Sequence, residues 1–275
     1  MRVLVTGAAG MLGRDLVAHL VDGHEVTAVD LDVDVTDPAA VDACVAEARP
    51  EAVFHLAAWT DVDRAESEEA AARAVNADGC RNVAAAAARA GAALVVPSTD
   101  YVFDGAKGAP YAEDDAPAPL GAYGRTKRAG EVAALDAHPA GTRIARTAWL
   151  YGRHGRNFVD TMRALARDRD EVSVVDDQEG SPTWTRDLVP ALVALLDAPP
   201  GVYHTAGAGS VTWAGFAEAI FQEAGLACRV RRITTAEMGR PAPRPAFSPL
   251  AVTRPGAPRL RPWREALVDY LRENP

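Results

Sequence analysis

Short apolar, β-branched runs alternate with longer stretches of helical periodicity through residues 1–150. Val3-Leu4-Val5-Thr6 reads as a strand ending at Gly7, and the apolar-periodic stretch from Leu12 through Leu20 reads as the helix after it. Glu25 to Asp30 is the second strand. Asp34-Val35 reads as a strand end, and Thr36-Asp37-Pro38 as the cap of a helix from Ala39 to Ala48. Ala52 to Leu56, Ala93 to Val96 and the region from Arg143 to Arg146 are three further strands, separated by helices at Ala70–Ala90 and Tyr123–Leu135. The alternation predicts an α/β fold built on a doubly wound parallel sheet.

Beyond Tyr151 the pattern is less regular. Phe158–Arg167, Asp187–Leu196, Trp213–Gly225 and Trp263–Leu271 read as helices, with strands at Val172–Val175 and Gly201–His204. The expected organisation is a nucleotide-binding unit over residues 1–150 and a smaller substrate-binding lid over 151–275, with later segments returning to the sheet.

Charge removes several functions from consideration. A net charge of -9 argues against a general binder of nucleic acid or anionic membranes. Cys44, Cys80 and Cys228 are far apart and odd in number, as expected of thiols in a reducing compartment. No apolar run approaches the roughly 20 residues that span a bilayer. Met1 leads almost directly into the first strand without a secretory leader pattern, so the expected location is the cytoplasm. The six histidines show no metal-ligand spacing.

The candidate chemistry begins at the first turn. Gly7, Gly10 and Gly13 sit at a strand-to-helix junction, where glycines permit a tight turn, close approach of a phosphate and close helix–strand packing. The free N–H groups of such a helix start hold a pyrophosphate, which makes the sheet a Rossmann-type dinucleotide binder. Asp30, at the end of the second strand, suits the adenosine ribose hydroxyls and repels a 2′-phosphate, so NADH is the first choice and NADPH the second. Small residues at Ala57-Ala58 let the loop through Trp59-Thr60 lie along a cofactor.

A second cluster carries proton chemistry. Tyr123 and Lys127 are four apart on a helix and share a face, and a cation beside a phenol favours its ionised form. Only Lys107 and Lys127 are lysines among 29 Lys and Arg residues, a hint that a compact ammonium is required at 127. Tyr-x-x-x-Lys is common by chance; the glycine turn and the hydroxyl of Thr99, at the end of the fourth strand, give it weight. The acidic stretch 61–69 reads as a solvated helix start, and the loop Asp104–Gly121 is expected to lie over the mouth of the site. Arg231, Arg232, Arg240, Arg244 and Arg254 are candidates for a diphosphate, of which one or two are expected to touch it.

These elements resemble the extended short-chain dehydrogenase/reductases and, among them, the dTDP-4-dehydrorhamnose reductase family. The resemblance is carried by Gly7-Ala8-Ala9-Gly10-Met11-Leu12-Gly13, the run Ala57 to Glu66, Ser98-Thr99-Asp100-Tyr101-Val102-Phe103, Tyr123 to Lys127, Arg146 to Gly152 and Asp177 to Thr183. It implies that Gly10, Met11 and Leu12 hold the cofactor pyrophosphate, Asp30 the ribose, Asp34 and Val35 the adenine, and Ala58, Trp59 and Thr60 the cofactor's length. It implies substrate contacts from Thr99, Asp100, Trp149 and Arg244, with Tyr123, Lys127 and Thr99 catalytic. The implied reaction reduces the C4 keto group of dTDP-4-dehydro-L-rhamnose, a nucleoside-diphosphate sugar, with NADH or NADPH. The resemblance also allows a homodimer with a structural Mg2+ at its contact, for which the sequence places no ligands. Trp59 departs from the smaller or more polar residue often found there, and residues 251–259 depart from a lysine-containing pattern. Rival readings are a related deoxysugar 4-ketoreductase, a nucleotide-sugar epimerase or dehydratase, and a non-catalytic regulatory homologue.

Overall fold

The computed structural model describes residues 1–274. Six strands, β1 (Arg2–Thr6), β2 (Glu25–Val29), β3 (Ala52–His55), β4 (Ala93–Thr99), β5 (Thr142–Thr147) and β6 (Gly201–His204), form one sheet in the order β6-β5-β4-β3-β1-β2. Every pairing in it is parallel. The chain starts mid-sheet at β1, winds outward to β2, then crosses back to β3 and continues to the other edge. Such a reversal leaves a crevice beyond the carboxyl ends of β1 and β3, the place where open α/β sheets bind ligands.

Both faces of this sheet are covered, which is why its central strands read as near-continuous apolar runs. Alternation along each strand divides the side chains between two cores. Leu4, Val53, Leu94 and Ile144 pack against Val41, Val45, Val83 and Ala87 on one face. Val3, Val5, Phe54 and Ala145 pack against Leu12, Leu16, Leu188 and Leu192 on the other.

A third core joins the helices Phe158–Asp168, Trp213–Glu223 and Trp263–Glu273 to a parallel strand pair, Glu171–Val175 with Arg229–Ile233. Residues after 150 serve both halves. β6 extends the sheet beside β5, and the helix Thr185–Ala194 packs on the sheet through Leu188 and Leu192.

Two expected elements take other forms. Asp34-Val35 is not a strand end: both the N–H and the hydroxyl of Thr36 donate to Asp34 Oδ1, at 2.8 and 2.7 Å, and this side-chain bonding holds a turn instead. The alanine-rich stretch is not one helix. It is divided into Glu69–Arg73, a π-helical turn Ala74–Gly79, and Cys80–Ala90. The widened turn carries Asn76, which is 1% exposed. The helix Ala122–Ala137 packs so close to it that a Cβ on Gly130 would lie 2.0 Å from the Asn76 carbonyl oxygen.

Candidate active site

A cleft of about 1110 Å³ opens at the carboxyl ends of the central strands. It is lined by every residue expected to hold the cofactor, from Gly7 and Asp30 to Trp59 and Thr60, together with Thr99, Tyr123, Lys127 and Trp149. Gly7 has φ +68°, and a Cβ there would lie 2.5 Å from the Ala57 nitrogen. A Cβ on Gly13 would lie 2.3 Å from the Gly7 carbonyl oxygen. Both positions exclude any side chain, as a turn folded onto two neighbouring segments requires. Gly10 caps the helix Met11–Leu20 without a side-chain hydrogen bond, so no side chain competes for the first N–H groups facing the cleft. Asp30 Oδ2 accepts from the Ala9 N–H at 2.7 Å and ties the end of β2 to this turn. An uncapped helix start beside a carboxylate, in a cleft of this length, fits a dinucleotide.

At the other end, the helix Ala122–Ala137 presents Tyr123 and Lys127 to the same space. Lys127 is 8% exposed and donates from Nζ to the Pro97 carbonyl at 2.9 Å, on β4. Burial pushes its ammonium below the ordinary lysine range, opposed by Cys80 and Glu131. The Tyr123 phenol differs from expectation. Burial first, and then the Asp100 carboxylate, push it up to about 12, while the Thr99 hydroxyl acts the other way. Desolvation therefore sets the direction, and Tyr123 holds its proton firmly.

Thr99 donates to Asp100 Oδ1 at 3.1 Å and accepts from the Tyr101 N–H at 3.1 Å. Asp100 does not line the cleft; it lies beneath Thr99 at 1% exposure. Trp149 has φ +49°, a strained value for a bulky residue, and stacks on Trp213 with ring centroids 3.4 Å apart. Trp59 fits at the rim. Its ring lies under the Arg64 guanidinium at 4.8 Å, and its indole N–H donates to the Asp61 carbonyl.

The expected cations are engaged elsewhere. Arg244 is absent from the cleft lining and pairs with Asp63 at 2.9 Å, as does Arg240 at 3.1 Å. Arg232 pairs with Asp176 and Glu218, Arg231 bonds Ser173, and Arg254 bonds the Pro200 and Val202 carbonyls. The arginine that lines the cleft, near the glycine turn, is Arg156, which charge counting in the C-terminal third does not find. The loop Asp104–Gly121 does not line the cleft either. Its Tyr111 is buried, stacks on Phe103 at 4.1 Å and pairs with the chain at Leu250, so the loop is spent on packing.

Asn76 is a site residue that the sequence shows only as a polar break in an alanine run. It accepts from the Trp59 N–H at 2.8 Å and donates to the Trp59 carbonyl and the Thr126 hydroxyl, both at 3.1 Å. It thus joins the cleft loop to the helix of Tyr123. Among the described residues, no group of three or more His, Cys, Asp or Glu side chains is placed to hold a metal, and no helix is long and apolar enough to cross a membrane.

The parallel sheet, the glycine turn at its switch point and the Tyr/Lys pair on one helix facing the cleft define a Rossmann-type protein of the short-chain dehydrogenase/reductase class. Within that class, residues 1–274 match the family model described as the RmlD substrate binding domain, and the chain belongs to that family. It is 49% identical to a dTDP-4-dehydrorhamnose reductase of Streptomyces griseus, over 98% of this chain and 92% of that protein. It is 46% identical to a dTDP-4-keto-6-deoxy-D-glucose reductase of Streptomyces niveus, over 98% and 96%. The crystal structure of dTDP-4-dehydrorhamnose reductase from Bacillus anthracis in complex with NADP superposes with a TM-score of 0.96 at 40% identity, covering 99% of each chain.

Proposed function

We propose that the chain reduces the C4 keto group of dTDP-4-dehydro-L-rhamnose to the alcohol, giving dTDP-L-rhamnose and consuming NADH or NADPH. The observation that carries this reading is the single cleft that holds the glycine turn at one end and Tyr123, Lys127 and Thr99 at the other. It is supported by the 49% identity to a relative of that name. A reaction that draws on reduced nicotinamide belongs in the cytoplasm.

The cofactor supplies the hydride when bound. The N–H groups of Met11 and Leu12 would hold its pyrophosphate, with Arg156 as the nearby cation, and Asp30 would take the ribose. Asp34 and Val35 would flank the adenine, and Ala57, Ala58, Trp59 and Thr60 would line its length. Tyr123, protonated at neutral pH, gives its proton to the carbonyl oxygen as that oxygen becomes an alcohol. Lys127, fixed on Pro97, places a positive charge beside the phenolate that remains. Thr99 orients the reacting oxygen, Trp149 packs the sugar, and the unit beyond residue 150 forms the substrate side. Asp100 acts from beneath Thr99, and Arg244 holds the C-terminal segment through Asp63.

The test follows oxidation of NADH and of NADPH by purified protein with dTDP-4-dehydro-L-rhamnose and identifies the product. Stoichiometric oxidation with formation of dTDP-L-rhamnose is expected. Turnover of dTDP-4-keto-6-deoxy-D-glucose alone would favour the second reading, which the 46% identity to a reductase of that sugar supports. Turnover without net consumption of cofactor would favour an epimerase.

A further inference from the structure

We infer that Ser248, far from the cleft in sequence, is a positioning residue for the reaction: it fixes the Asp100 carboxylate, which in turn fixes the Thr99 hydroxyl. Ser248 is 1% exposed and donates from Oγ to Asp100 Oδ2 at 2.6 Å. The other oxygen of that carboxylate accepts the Thr99 hydroxyl at 3.1 Å. A carboxylate held at both oxygens has one orientation. The Thr99 hydroxyl, anchored on Asp100 and on the Tyr101 N–H, is thereby held in one place at the wall of the cleft it shares with Tyr123.

Backbone pairing on both sides places Ser248 without help from its hydroxyl. The Ser248 N–H donates to the Glu179 carbonyl at 2.9 Å, and the Glu179 N–H to Ala246 at 2.8 Å. The Tyr111 N–H donates to Pro249 at 2.9 Å, and the Ala251 N–H to Tyr111 at 2.7 Å. Removing the hydroxyl takes away its bond to Asp100 and a long 3.5 Å contact with the Glu179 carbonyl, and leaves the backbone pairing of the strap in place. A buried carboxylate that loses a charge-assisted donor binds its own proton more readily. The ionisable groups that face Asp100 are Tyr101 and Tyr123, with Arg244 acting on Tyr101 from the C-terminal segment. Protonated, Asp100 becomes a donor and releases Thr99.

The inference rests on the reductase reading above, so wild-type turnover of the 4-keto sugar is measured first. Its absence would overturn that reading and leave the carboxyl titration below as the test of the Ser248–Asp100 link. Given turnover, Ser248→Ala is expected to lower kcat about tenfold with the NADH dissociation constant within about twofold of wild type. The acid limb of its pH–rate profile is expected to move up by about one pH unit. Ser248→Cys, nearly the same size but a weak donor, should fall between the two, and it decides the matter alone should the alanine variant not fold. Carbon-13 NMR of aspartate-labelled protein, with Asp100→Asn identifying the resonance, follows the Asp100 carboxyl without any turnover. An Asp100 titration that does not move in Ser248→Ala, or a kcat loss with an unmoved acid limb, would overturn the inference.

Discussion

Arg146 Nε and Nη2 donate to the two Glu131 carboxylate oxygens at 2.8 Å each, and the two side chains are 2% and 1% exposed. Glu131 stands one helical turn beyond Lys127, so this pair lies next to the Lys127 ammonium. Burial pushes the Glu131 carboxyl up, but Arg146 with Ser98 and Arg128 holds it below the ordinary carboxylate range. Removing one partner would strand the other charge in a medium that cannot solvate it. Glu131→Ala should therefore destabilise the protein by about 3–5 kcal/mol. Replacing both residues by apolar side chains of similar volume should recover most of that. Urea unfolding of the single and double variants measures the difference, and a single-variant loss below about 1 kcal/mol would show that water reaches Arg146.

Tyr123, the proposed proton donor, can be changed without touching the glycine-turn end of the cleft. Tyr123→Phe is expected to lower kcat by about 10²–10⁴-fold while the NADH dissociation constant stays within a few-fold. Lys127→Arg keeps the charge but replaces a compact ammonium by a planar fork, at a position 8% exposed and bonded to one carbonyl. It should lose nearly as much activity. Steady-state kinetics with fluorescence titration of NADH separate the two effects, and near-wild-type turnover in Tyr123→Phe would end the mechanism.

Cofactor choice is expected to reside at the end of β2. Asp30 and Asp34 line the cleft, and Asp32 accepts from the Asp30 N–H at 2.7 Å, so acidic groups crowd the place where a 2′-phosphate would sit. We expect NADH to be preferred. Asp30→Ser should raise the NADPH-to-NADH ratio of kcat/KM by about tenfold or more. NADH binding should weaken at the same time, because Asp30 also holds the Ala9 N–H. Equal use of both cofactors by wild type would remove Asp30 as the selector.

What could be read from the residues follows from how local each signal is. β1, β3 and β4 are legible because burial on both faces demands runs of apolar residues. The glycine turn is legible because its three glycines fall within seven positions of the chain, although one of the segments that demands them, at Ala57, is fifty residues away. Arg229–Ile233 is hidden because its arginines face solvent on a half-exposed strand and mask the period. The π-helical turn at Asn76 is hidden because its cause, hydrogen bonds to Trp59 and Thr126, lies 17 and 50 residues away. The spacing of Tyr123 and Lys127 shows that they share one helix, but the direction in which burial moves the phenol depends on the whole surrounding fold. Arg244 and the loop at Tyr111 show the reverse case: suitable chemistry in the sequence, bonded elsewhere in the fold.

Asp100 should leave a signature in stability against pH. Burial pushes its carboxyl from 3.8 up to about 6, against the hydrogen bonds from Ser248 and Thr99. An acid that binds its proton more tightly when folded adds stability that is fully present below its unfolded value and is lost as pH rises through the folded value. Between about pH 4 and pH 7 this amounts to about 2 kcal/mol for the wild type. Asparagine at the same place does not titrate and can still bond both hydroxyls. The stability of wild type relative to Asp100→Asn should accordingly fall by that order across the interval, with most of the change complete once pH passes 6. Urea midpoints of both proteins at pH 4, 5, 6 and 7 provide the comparison. A difference that stays constant would mean that Asp100 is ionised throughout, and its charge would then bear on Tyr123 at every pH.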